Sequence, residues 1–576
     1  MSKDHAFTPA WYEGQLPPRS YRSLFKWGDP NEHKHPNHRL YALLKSALHM
    51  CDDDFRQPHS LGLETVDVDV PPRLSTVHLQ TLTGMVGSEN ALTDTYTRLK
   101  ASYGKTMVDL LRLRQKTIEN IPDIVLRPRQ REDIVSIVRY CNEHRIPLYV
   151  FGGGSSVTRG MEAVCGGVTL DMNIHMKRVL AFNESDQTIT VEAGMWGPEL
   201  EATLNQAPER LHAARRYTCG HFPQSFEYSS VGGWIVTRGA GQNSTYYGKI
   251  EDLVLAQEYV TPAGIIQTSP WPRHATGADI DQIMIGSEGA FGVLTAATLK
   301  VFRFMPHNRR NFSYMFRTWQ DGLNACREIM QCEAGFPSVF RLSDPEETEV
   351  AMKLYGVEGT PADGLLRRLG YAQMEKCLLL GCTDGERGFA RNLAQRVAQI
   401  CRDYRAFPLS AFNVTQRWEK DRFRDPYLRE DLLDYGIIID TLECAVTWSQ
   451  AEKVHSAVRA YLKSRPNTIC MTHLSHAYPQ GSNLYFIFIT RLSSMRDYLE
   501  LLYGILEVIQ QNGAAISHHH GIGKQTAPWL EENIGSAQMD VLRALKKHFD
   551  PHNIMNPGGT LGLDMTPEQR AKRWGL

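Results

Sequence analysis

The sequence lacks the features that mark secreted, membrane-spanning or nucleic-acid-binding proteins. Its 11 cysteines include no CxxC pair, which gives no disulfide framework and favours buried thiols in a reducing compartment. No signal peptide begins the chain, no peroxisomal address ends it, and no apolar run approaches the ~18 residues that span a bilayer. The net charge is −1, so nucleic acid is not an expected partner. We therefore expect a cytoplasmic protein, and peripheral membrane contact stays open.

The sequence is long enough for several domains, since its 576 residues greatly exceed the ~150 residues of a typical domain. Residues 1–117 are predicted to be largely helical. Residues 118–302 follow a strand, helix, strand and glycine-loop pattern, and 303–500 alternate strands with amphipathic helices. Residues 501–576 add helices around a run of histidines. This rhythm predicts an α+β fold.

A glycine loop is the first candidate binding element. The segment "FGGGSSV", residues 151–157, follows the short apolar strand "LYVF". Without Cβ atoms, the amides of consecutive glycines can wrap an anion. The pattern is not GxGxxG, because Val157 stands in the place of the third glycine and no acidic ribose ligand follows about 20 residues later. A nucleotide site of another architecture is favoured, and a tight turn without a ligand is the alternative.

Four later motifs identify that architecture. They are "PQSFEYSSVGGW" (223–234), "TRGAG" (237–241), "YGKIEDLV" (247–254) and "GSEGAFGVL" (286–294). Together with the glycine loop they resemble the FAD-binding domain of the vanillyl-alcohol-oxidase, or PCMH-type, flavoproteins. The resemblance implies an FAD-binding domain of two α/β subdomains over 118–302 and an α+β cap, or substrate, domain over 303–500. It also implies that residues 501–576 return to the FAD domain carrying the histidines.

The resemblance also assigns parts of FAD to the motifs. The glycine loop would bind the pyrophosphate, "SSVGG" would lie along the isoalloxazine ring, and "SEGAFGVL" would contact the adenine and ribose. No histidine stands beside the glycine loop, where some relatives attach FAD covalently, so noncovalent FAD is predicted. The implied cofactor-binding residues are Val150, Phe151, Gly152, Gly153, Gly154, Ser155, Ser156, Gln224, Ser225, Phe226, Glu227, Tyr228, Ser229, Ser230, Thr237, Arg238, Gly239, Ala240, Glu288, Gly289, Ala290, Phe291, Gly292, Val293 and Leu294.

The histidine run "SHHHGIGK" raises the question of a metal. D-2-hydroxy-acid dehydrogenases of this family hold a divalent ion with two His and one Glu, in "GHxGDGNxH" and "EHGIG". Here His476 matches the first ligand, Tyr485 stands where the second His should be, and His519 replaces the Glu. A neutral phenol is a poor ligand for such an ion, and the anionic carboxylate is lost. No metal is therefore expected.

The same positions resemble the alkyl-dihydroxyacetone-phosphate synthases over residues 95–555, through "IPDIVLRP", "VFRLSD", "LYFIF" and "SHHHGIGK". The resemblance implies a catalytic Tyr485, catalytic His518, His519 and His520, and substrate-binding Arg429 and Arg341. The alternatives are a core tyrosine in a strand, arginines on a solvated face and a structural histidine loop.

The implied reaction is a transferase reaction of ether-lipid synthesis without net redox. The acyl chain of acyl-dihydroxyacetone phosphate, a lipid-like phosphate, is exchanged for a fatty alcohol through a flavin N5 adduct. As a base, Tyr485 would need a pKa lowered from ~10, and we expect the histidines and Arg429 to supply that positive field. The main alternative is an FAD-dependent oxidase or dehydrogenase of a D-2-hydroxy acid or alcohol, which the tail "NPGG" favours. A non-enzymatic flavin-binding scaffold is a third, and a homodimer is expected from the family.

Overall fold

The computed structural model describes residues 15–409, 412–492 and 494–572. The ends of the first and last predicted regions, residues 1–14 and 573–576, lie outside the described residues. Helix and strand are mixed along the whole described chain, so the predicted α+β class is confirmed. No helix among the described residues has both the length and the apolarity needed to cross a membrane.

The N-terminal region is mostly helical, and one short strand joins it to the first sheet. Asn37, Ser75, Asp94 and Thr106 cap its helices by accepting backbone N–H groups. Its elements are α1 (Tyr21–Phe25), α2 (His38–Ala47), α3 (Thr76–Val86), β1 (Ala91–Leu92), α4 (Thr95–Lys100) and α5 (Met107–Arg114).

The next region builds two principal sheets. Its elements are β2 (Ile124–Leu126), α6 (Arg131–His144), β3 (Leu148–Phe151), β4 (Val168–Asp171), β5 (Val179–Asn183), β6 (Thr188–Glu192), α7 (Gly197–Asn205), α8 (Ala207–Arg210), β7 (Tyr217–Thr218), α9 (Val231–Val236), α10 (Ser244–Tyr247), α11 (Ile250–Leu253), β8 (Val254–Thr261), β9 (Gly264–Gln267), α12 (Ile280–Met284), β10 (Val293–Lys300) and β11 (Phe302–Arg303). The first sheet has the order β1-β2-β4-β3, and the second has the order β5-β6-β10-β8-β9. Strands β2, β3 and β4 are parallel and almost wholly buried, which explains the continuous apolar sequence of β2 and β3.

The third region forms one antiparallel sheet of seven strands with the order β15-β12-β14-β13-β17-β18-β16. Its helices pack their apolar faces on this sheet to form the largest core of the molecule. Its elements are β12 (Arg310–Phe316), α13 (Trp319–Gln331), β13 (Val339–Ser343), α14 (Pro345–Leu354), α15 (Pro361–Arg368), β14 (Cys377–Thr383), α16 (Arg387–Asp403), β15 (Phe407–Pro408), α17 (Val414–Asp421), α18 (Tyr427–Leu432), β16 (Ile437–Thr447), α19 (Trp448–Ser464), β17 (Ile469–Tyr478), β18 (Gly481–Arg491) and α20 (Met495–Gln511).

The C-terminal segment turns back onto the first two sheets. Its helices are α21 (Ala527–Ile534), α22 (Ser536–Phe549) and α23 (Pro567–Ala571). Met539 and Phe549 pack in the core of the second sheet. The backbone N–H of Leu148, at the start of β3, donates to the carbonyl of Ile554 at 2.7 Å. The histidine run therefore lies in a connection that leads from the seven-stranded sheet to the first two sheets.

The N-terminal region also holds α18, the helix that carries Arg429. Arg22 donates to Asp434 at 2.7 Å and to Asp431 at 2.8 Å, and Arg114 donates to Asp434 at 2.9 Å. All four side chains are buried, where removing one partner leaves an uncompensated charge. The first helices thus fix the position of one wall of the site described next.

Candidate active site

One large cavity lies between the glycine loop and the seven-stranded sheet. Its volume is about 380 Å³, within the ~300–1,000 Å³ range of small-molecule sites. One wall is built from the loop 152–156 and the segments around Ser229 and Glu288, and the opposite wall carries Arg341, Arg429 and Tyr485. Most of the predicted cofactor residues and most of the predicted catalytic residues therefore share a single space.

The glycine wall fits an FAD because it presents backbone and hydroxyl groups at close range. A Cβ atom on Gly153 would lie 2.1 Å from the carbonyl oxygen of Tyr228, and one on Gly152 would lie 2.8 Å from Oγ of Ser230. The glycine loop is thus pressed against the "SSVGG" segment, and any side chain there would push the two motifs apart. Ser155 and Ser156 add hydroxyl donors along the same wall.

Most of the predicted cofactor residues line the cavity, and a minority do not. Those that line it are Val150, Gly152, Gly153, Gly154, Ser155, Ser156, Gln224, Ser225, Ser229, Ser230, Thr237, Gly239, Ala240, Glu288, Gly289, Gly292 and Leu294. Those outside its lining are Phe151, Phe226, Glu227, Tyr228, Arg238, Ala290, Phe291 and Val293. Ala290, Phe291 and Val293 are instead buried in the protein cores, and Arg238 faces Gln282 on the surface.

The register of three neighbouring strands assembles the wall that carries Tyr485, the predicted catalytic residue. Tyr485 on β18 lies directly opposite Glu443 on β16 and opposite His473 on β17. Side chains of a strand alternate between its faces, so Thr441 and Ile487 share the face of Tyr485, and both line the cavity. The ring of His473 stacks on that of Tyr485, with 4.9 Å between centroids.

The hydroxyl of Tyr485 donates to Oγ1 of Thr441 at 3.1 Å, and here one expectation from the sequence is wrong. Burial raises the pKa of Tyr485 to about 12, although its hydrogen bond to Thr441 lowers it. Of the expected positive field only the charge of Arg429 is present, and it does not outweigh burial. The histidines do not contribute, because burial lowers the pKa of His518 and His519 well below the usual value and also lowers that of His520. Tyr485 is therefore a neutral phenol and the histidines are neutral imidazoles at pH 7.

Both predicted arginines reach the cavity, and each is paired with a carboxylate. Arg429 forms an ion pair with Asp440 at 2.9 Å and also donates to the carbonyl of Lys105. Its Nε is buried and has no hydrogen-bond partner among the described residues. Arg341 donates to Glu347 at 2.6 Å, and the same oxygen lies 3.2 Å from Nδ1 of His473. The arginines are thus held in place and keep N–H groups for an anionic ligand.

The side chain of Glu443 anchors the histidine run by accepting hydrogen bonds from the backbone of the run. Its carboxylate accepts the N–H groups of His518, His519 and His520 at 2.8–3.1 Å, the hydroxyl of Ser517 at 2.9 Å and the amide of Asn483 at 2.7 Å. On the other side of the loop, Glu288 accepts the N–H groups of residues 522 and 523, both at 2.7 Å. Two carboxylates, one on β16 and one in the loop before β10, therefore fix the histidine loop from both ends.

The three histidines do not face the same space. His519 and His520 line the cavity, and their rings lie 5.9 Å and 5.5 Å from that of Tyr485. His518 lies outside the lining, where its Nε2 is 3.0 Å from the hydroxyl of Tyr478. His476, the matched first metal ligand, also lines the cavity, and its Nδ1 is bonded to the hydroxyl of Ser244 at 2.7 Å.

One group of described residues has the spacing of a metal site, namely Glu443, His518 and His519. The carboxylate of Glu443 already accepts hydrogen bonds from five donors. To bind a metal ion, its oxygens would have to give up some of these bonds. The chemistry of this donor set therefore favours an anchor for the loop, and the absence of a metal stays a prediction.

Several lining residues were not singled out from the sequence. They are Trp27, His221, Ile439, Asp440, Thr441, His473 and Ile487. The alternation of strand β16 places Thr441 and Glu443 on one face, but only the strand register brings that face to Tyr485. His221 is buried, and neither of its ring nitrogens has a hydrogen-bond partner among the described residues. No local pattern in the sequence marks it.

Comparison with known proteins agrees with this geometry. The family model for an FAD binding domain matches residues 122–269, and the model for the C-terminal domain of FAD linked oxidases matches residues 305–560. An FAD-linked oxidoreductase of Escherichia coli, YgcU, is 30% identical over 76% of this chain and 88% of its own length. The alkyldihydroxyacetonephosphate synthase of Dictyostelium discoideum is 28% identical over 86% of this chain and 82% of its own. A solved alkyldihydroxyacetonephosphate synthase structure covers 93% of this chain and 99% of its own, with a TM-score of 0.78 and 26% identity.

Proposed function

The chain belongs to the FAD-linked oxidase family and resembles the alkyldihydroxyacetonephosphate synthases within it, and from that premise we propose that it is such a synthase. Its cofactor is FAD. The proposed reaction exchanges the acyl chain of acyl-dihydroxyacetone phosphate for a fatty alcohol, with no net change in oxidation state. The predicted noncovalent attachment of FAD is part of this proposal.

One observation carries the proposal: the cavity that contains the glycine wall is also lined by Tyr485, two arginines and the neutral His519 and His520. Arginine recognises phosphate well because its planar fork donates to two oxygens at once. A phenol and two imidazoles can hold and move protons. A phosphate-bearing substrate that must lose a proton near a flavin matches this set of groups.

Each side chain has a defined task in this reaction. Bound FAD supplies an isoalloxazine ring able to form and release a bond to the substrate carbon. Arg429 and Arg341 bind the phosphate, while Asp440 and Glu347 keep the two guanidinium groups in place. Tyr485 accepts the proton from the substrate carbon as its own hydroxyl proton passes to Thr441 and the Thr441 proton moves on toward the histidines. Tyr485 later returns a proton to the departing fatty acid. His519 and His520 bear the charge that these transfers create.

The acyl and alkyl chains need an apolar wall, and three lining residues provide one. Trp27, Ile439 and Ile487 border the cavity, and both isoleucines pack against a core that includes Leu40 and Leu44 of α2. Burying methylene groups against such a surface favours binding by ~0.8 kcal/mol for each group. The apolar side of the cavity therefore points toward the N-terminal helices.

The decisive experiment incubates the purified flavoprotein with acyl-dihydroxyacetone phosphate and labelled hexadecanol, with no electron acceptor. We expect a labelled ether and an unbleached flavin. Absence of the ether, together with bleaching of the flavin by a small D-2-hydroxy acid under exclusion of air, would support the oxidoreductase alternative instead. Tyr485→Phe serves as the inactive control in the first reaction.

Location and assembly belong to the same proposal. An enzyme of lipid substrates benefits from contact with a membrane surface, and Leu365 and Leu369 expose apolar side chains one turn apart at α15. Liposome flotation tests this contact, and lack of any association would remove it. A cytoplasmic location and a homodimer remain predictions, which fractionation and sedimentation can check.

A further inference from the structure

A small second cavity lies directly behind the catalytic wall. Its volume is about 30 Å³, which is room for about two water molecules, since one needs ~10–15 Å³ on this measure. Val157, Thr158, Asp440, Thr441 and His520 line both this annex and the large cavity. The annex and the substrate space therefore share part of their walls.

The lining of the annex is polar enough to hold water. Besides the shared residues, the polar side chains of Glu443, Tyr498, Ser517 and Gln525 border it. The side-chain oxygen of Gln525 is buried and has no hydrogen-bond partner among the described residues. An unsatisfied buried carbonyl of this kind costs about 1–3 kcal/mol, and a water in a polar cavity commonly removes that cost.

The hydrogen bonds at the annex have a direction. Tyr485 donates its hydroxyl proton to Thr441, at 3.1 Å. The Thr441 hydroxyl accepts this hydrogen bond and donates none of its own within the described chain. Its proton is therefore available to the annex that Thr441 lines. On the far side, Nδ1 of His520 lies 3.9 Å from the carboxylate of Glu443, which favours a proton on that ring by charge.

We propose that the annex is a water site that relays the substrate proton from Tyr485 through Thr441 to His520. This inference rests on the proposed function. As the substrate C–H bond breaks, its electron pair stays on carbon and the proton goes to the phenol oxygen of Tyr485. The phenol proton passes to Thr441, the Thr441 proton passes to an annex water, and a water proton passes to His520. No tyrosinate forms at any point.

Two features of the site support this relay. Burial raises the pKa of Tyr485 to about 12, so a free tyrosinate base is strongly disfavoured at neutral pH, whereas a phenol that gives one proton as it takes another needs no charge. The charged groups that act on His520 are Glu443 and Asp440, which raise its pKa, and Arg429, which lowers it; burial is the largest influence and lowers it. The carboxylates stabilise an imidazolium once the proton has arrived.

The test uses the purified flavoprotein and three variants. Thr441→Val keeps the shape of the side chain and removes the relay hydroxyl, and Thr441→Ser keeps that hydroxyl. Thr526→Val removes another annex hydroxyl that donates within its own turn to the carbonyl of residue 522, at 2.8 Å. In ether formation, we expect Thr441→Val to lower kcat by ~100-fold or more with KM unchanged. We expect the other two variants to stay within about threefold of wild type, since neither loses the relay hydroxyl.

The solvent deuterium isotope effect on kcat should be large in the wild type and in Thr441→Ser. A high-resolution crystal structure should show ordered water within hydrogen-bond distance of Oγ1 of Thr441. Wild-type activity in Thr441→Val, an equal loss in Thr526→Val, or a dry annex would each overturn the relay. If the wild type forms no ether, the proposed function fails, while the crystallographic water still decides whether the annex is a water site.

Discussion

Glu443 holds His519 in two ways: its Oε1 accepts the backbone N–H of His519 at 3.0 Å, and its Oε2 lies 3.7 Å from the ring Nδ1. The first contact fixes the path of the loop, and the second places a negative charge beside the imidazole. Tyr485 stands opposite Glu443 on the neighbouring strand. One buried carboxylate thus sets the position and the charge balance of the catalytic wall.

Glu443→Gln should disrupt this wall, because a carboxamide turns an NH₂ group toward donors that a carboxylate accepted. We expect a loss of about 1–3 kcal/mol in the free energy of unfolding and a marked fall in kcat. Urea unfolding and ether formation measure the two effects. Glu452→Gln, at an exposed position on α19, is the control and should change neither. A Glu443→Gln protein with wild-type kcat would show that the anchor is not needed.

Tyr485→Phe should abolish ether formation while leaving FAD bound. Loss of a positioned proton-transfer group costs ~10²–10⁴-fold in rate, and the phenyl ring of the variant still fills the place beside His473. The measurements are kcat and the ratio of flavin absorbance to protein. Tyr246→Phe, outside the cavity lining, should keep full activity. Retention of more than a tenth of the rate in Tyr485→Phe would argue for another proton acceptor.

Gly153→Ala should lose FAD, because the added Cβ would lie 2.1 Å from the carbonyl oxygen of Tyr228. We expect a lower flavin-to-protein ratio after gel filtration. Gly364→Ala is a matched control, since a Cβ there meets nothing within 4 Å, and it should keep its flavin. In the wild type, acid precipitation should release the flavin into the supernatant. Flavin that stays with the pellet would contradict noncovalent attachment.

Arg429→Lys should weaken binding of the phosphate substrate without loss of FAD. A lysine cannot donate to two phosphate oxygens and to Asp440 in the same plane, so KM should rise by ~10-fold or more. Titration of inorganic phosphate as a competitive inhibitor gives an independent reading of the same site. Arg424→Lys, whose side chain is exposed and pairs with Glu32, serves as the control. Equal KM values in both variants would remove Arg429 from the phosphate site.

His221 should make the protein sensitive to acid. Burial lowers the pKa of His221 to about 3, with a smaller contribution from Lys249, whereas an unfolded histidine titrates near pH ~6.5. Between these values the unfolded chain binds more protons, so the free energy of unfolding falls as the pH falls. The slope from this residue is at most ~1.4 kcal/mol per pH unit.

Urea unfolding at several pH values between 4 and 6 checks this prediction. His221→Gln removes the titrating group, and its unfolding free energy should depend on pH less steeply than that of the wild type. His274→Gln, in an exposed loop, should follow the wild type. Identical slopes for the His221 variant and the wild type would show that this histidine is not neutral in the folded protein.

The order of short motifs was enough to predict the cofactor, the fold class and the family. Local backbone requirements determine which residues occur at glycines 152–154, in the "SSVGG" segment and in the "SEGAFG" segment. Such local requirements can be recognised from the sequence alone. Tyr485, Arg429 and the histidine run were also found, because each replaces or matches a position in a recognisable pattern. The structure brings glycines 152–154, Tyr485, Arg429, His519 and His520 to the lining of one cavity, whereas His518 and part of the two segments lie outside it.

The partners of those residues could not be predicted, because strand pairing joins positions far apart in sequence. Thr441 and Glu443 meet Tyr485 only through the register of β16 and β18, and His473 meets it through β17. The ion pair between Arg22 and Asp434 links residues 412 positions apart. Nothing local in the chain marks such pairs, since either member alone is an ordinary polar residue.

The sequence by itself determined which chemical groups this protein has and where flexible, Cβ-free backbone lets a nucleotide approach, because those properties belong to single residues and their immediate neighbours. Only the tertiary structure decided their charge states. Burial on one face of the seven-stranded sheet keeps Tyr485 protonated and the histidines neutral, and the strand register places Thr441 and the annex next to them. Desolvation depends on all the atoms that surround a group, and these atoms come together only when the chain folds.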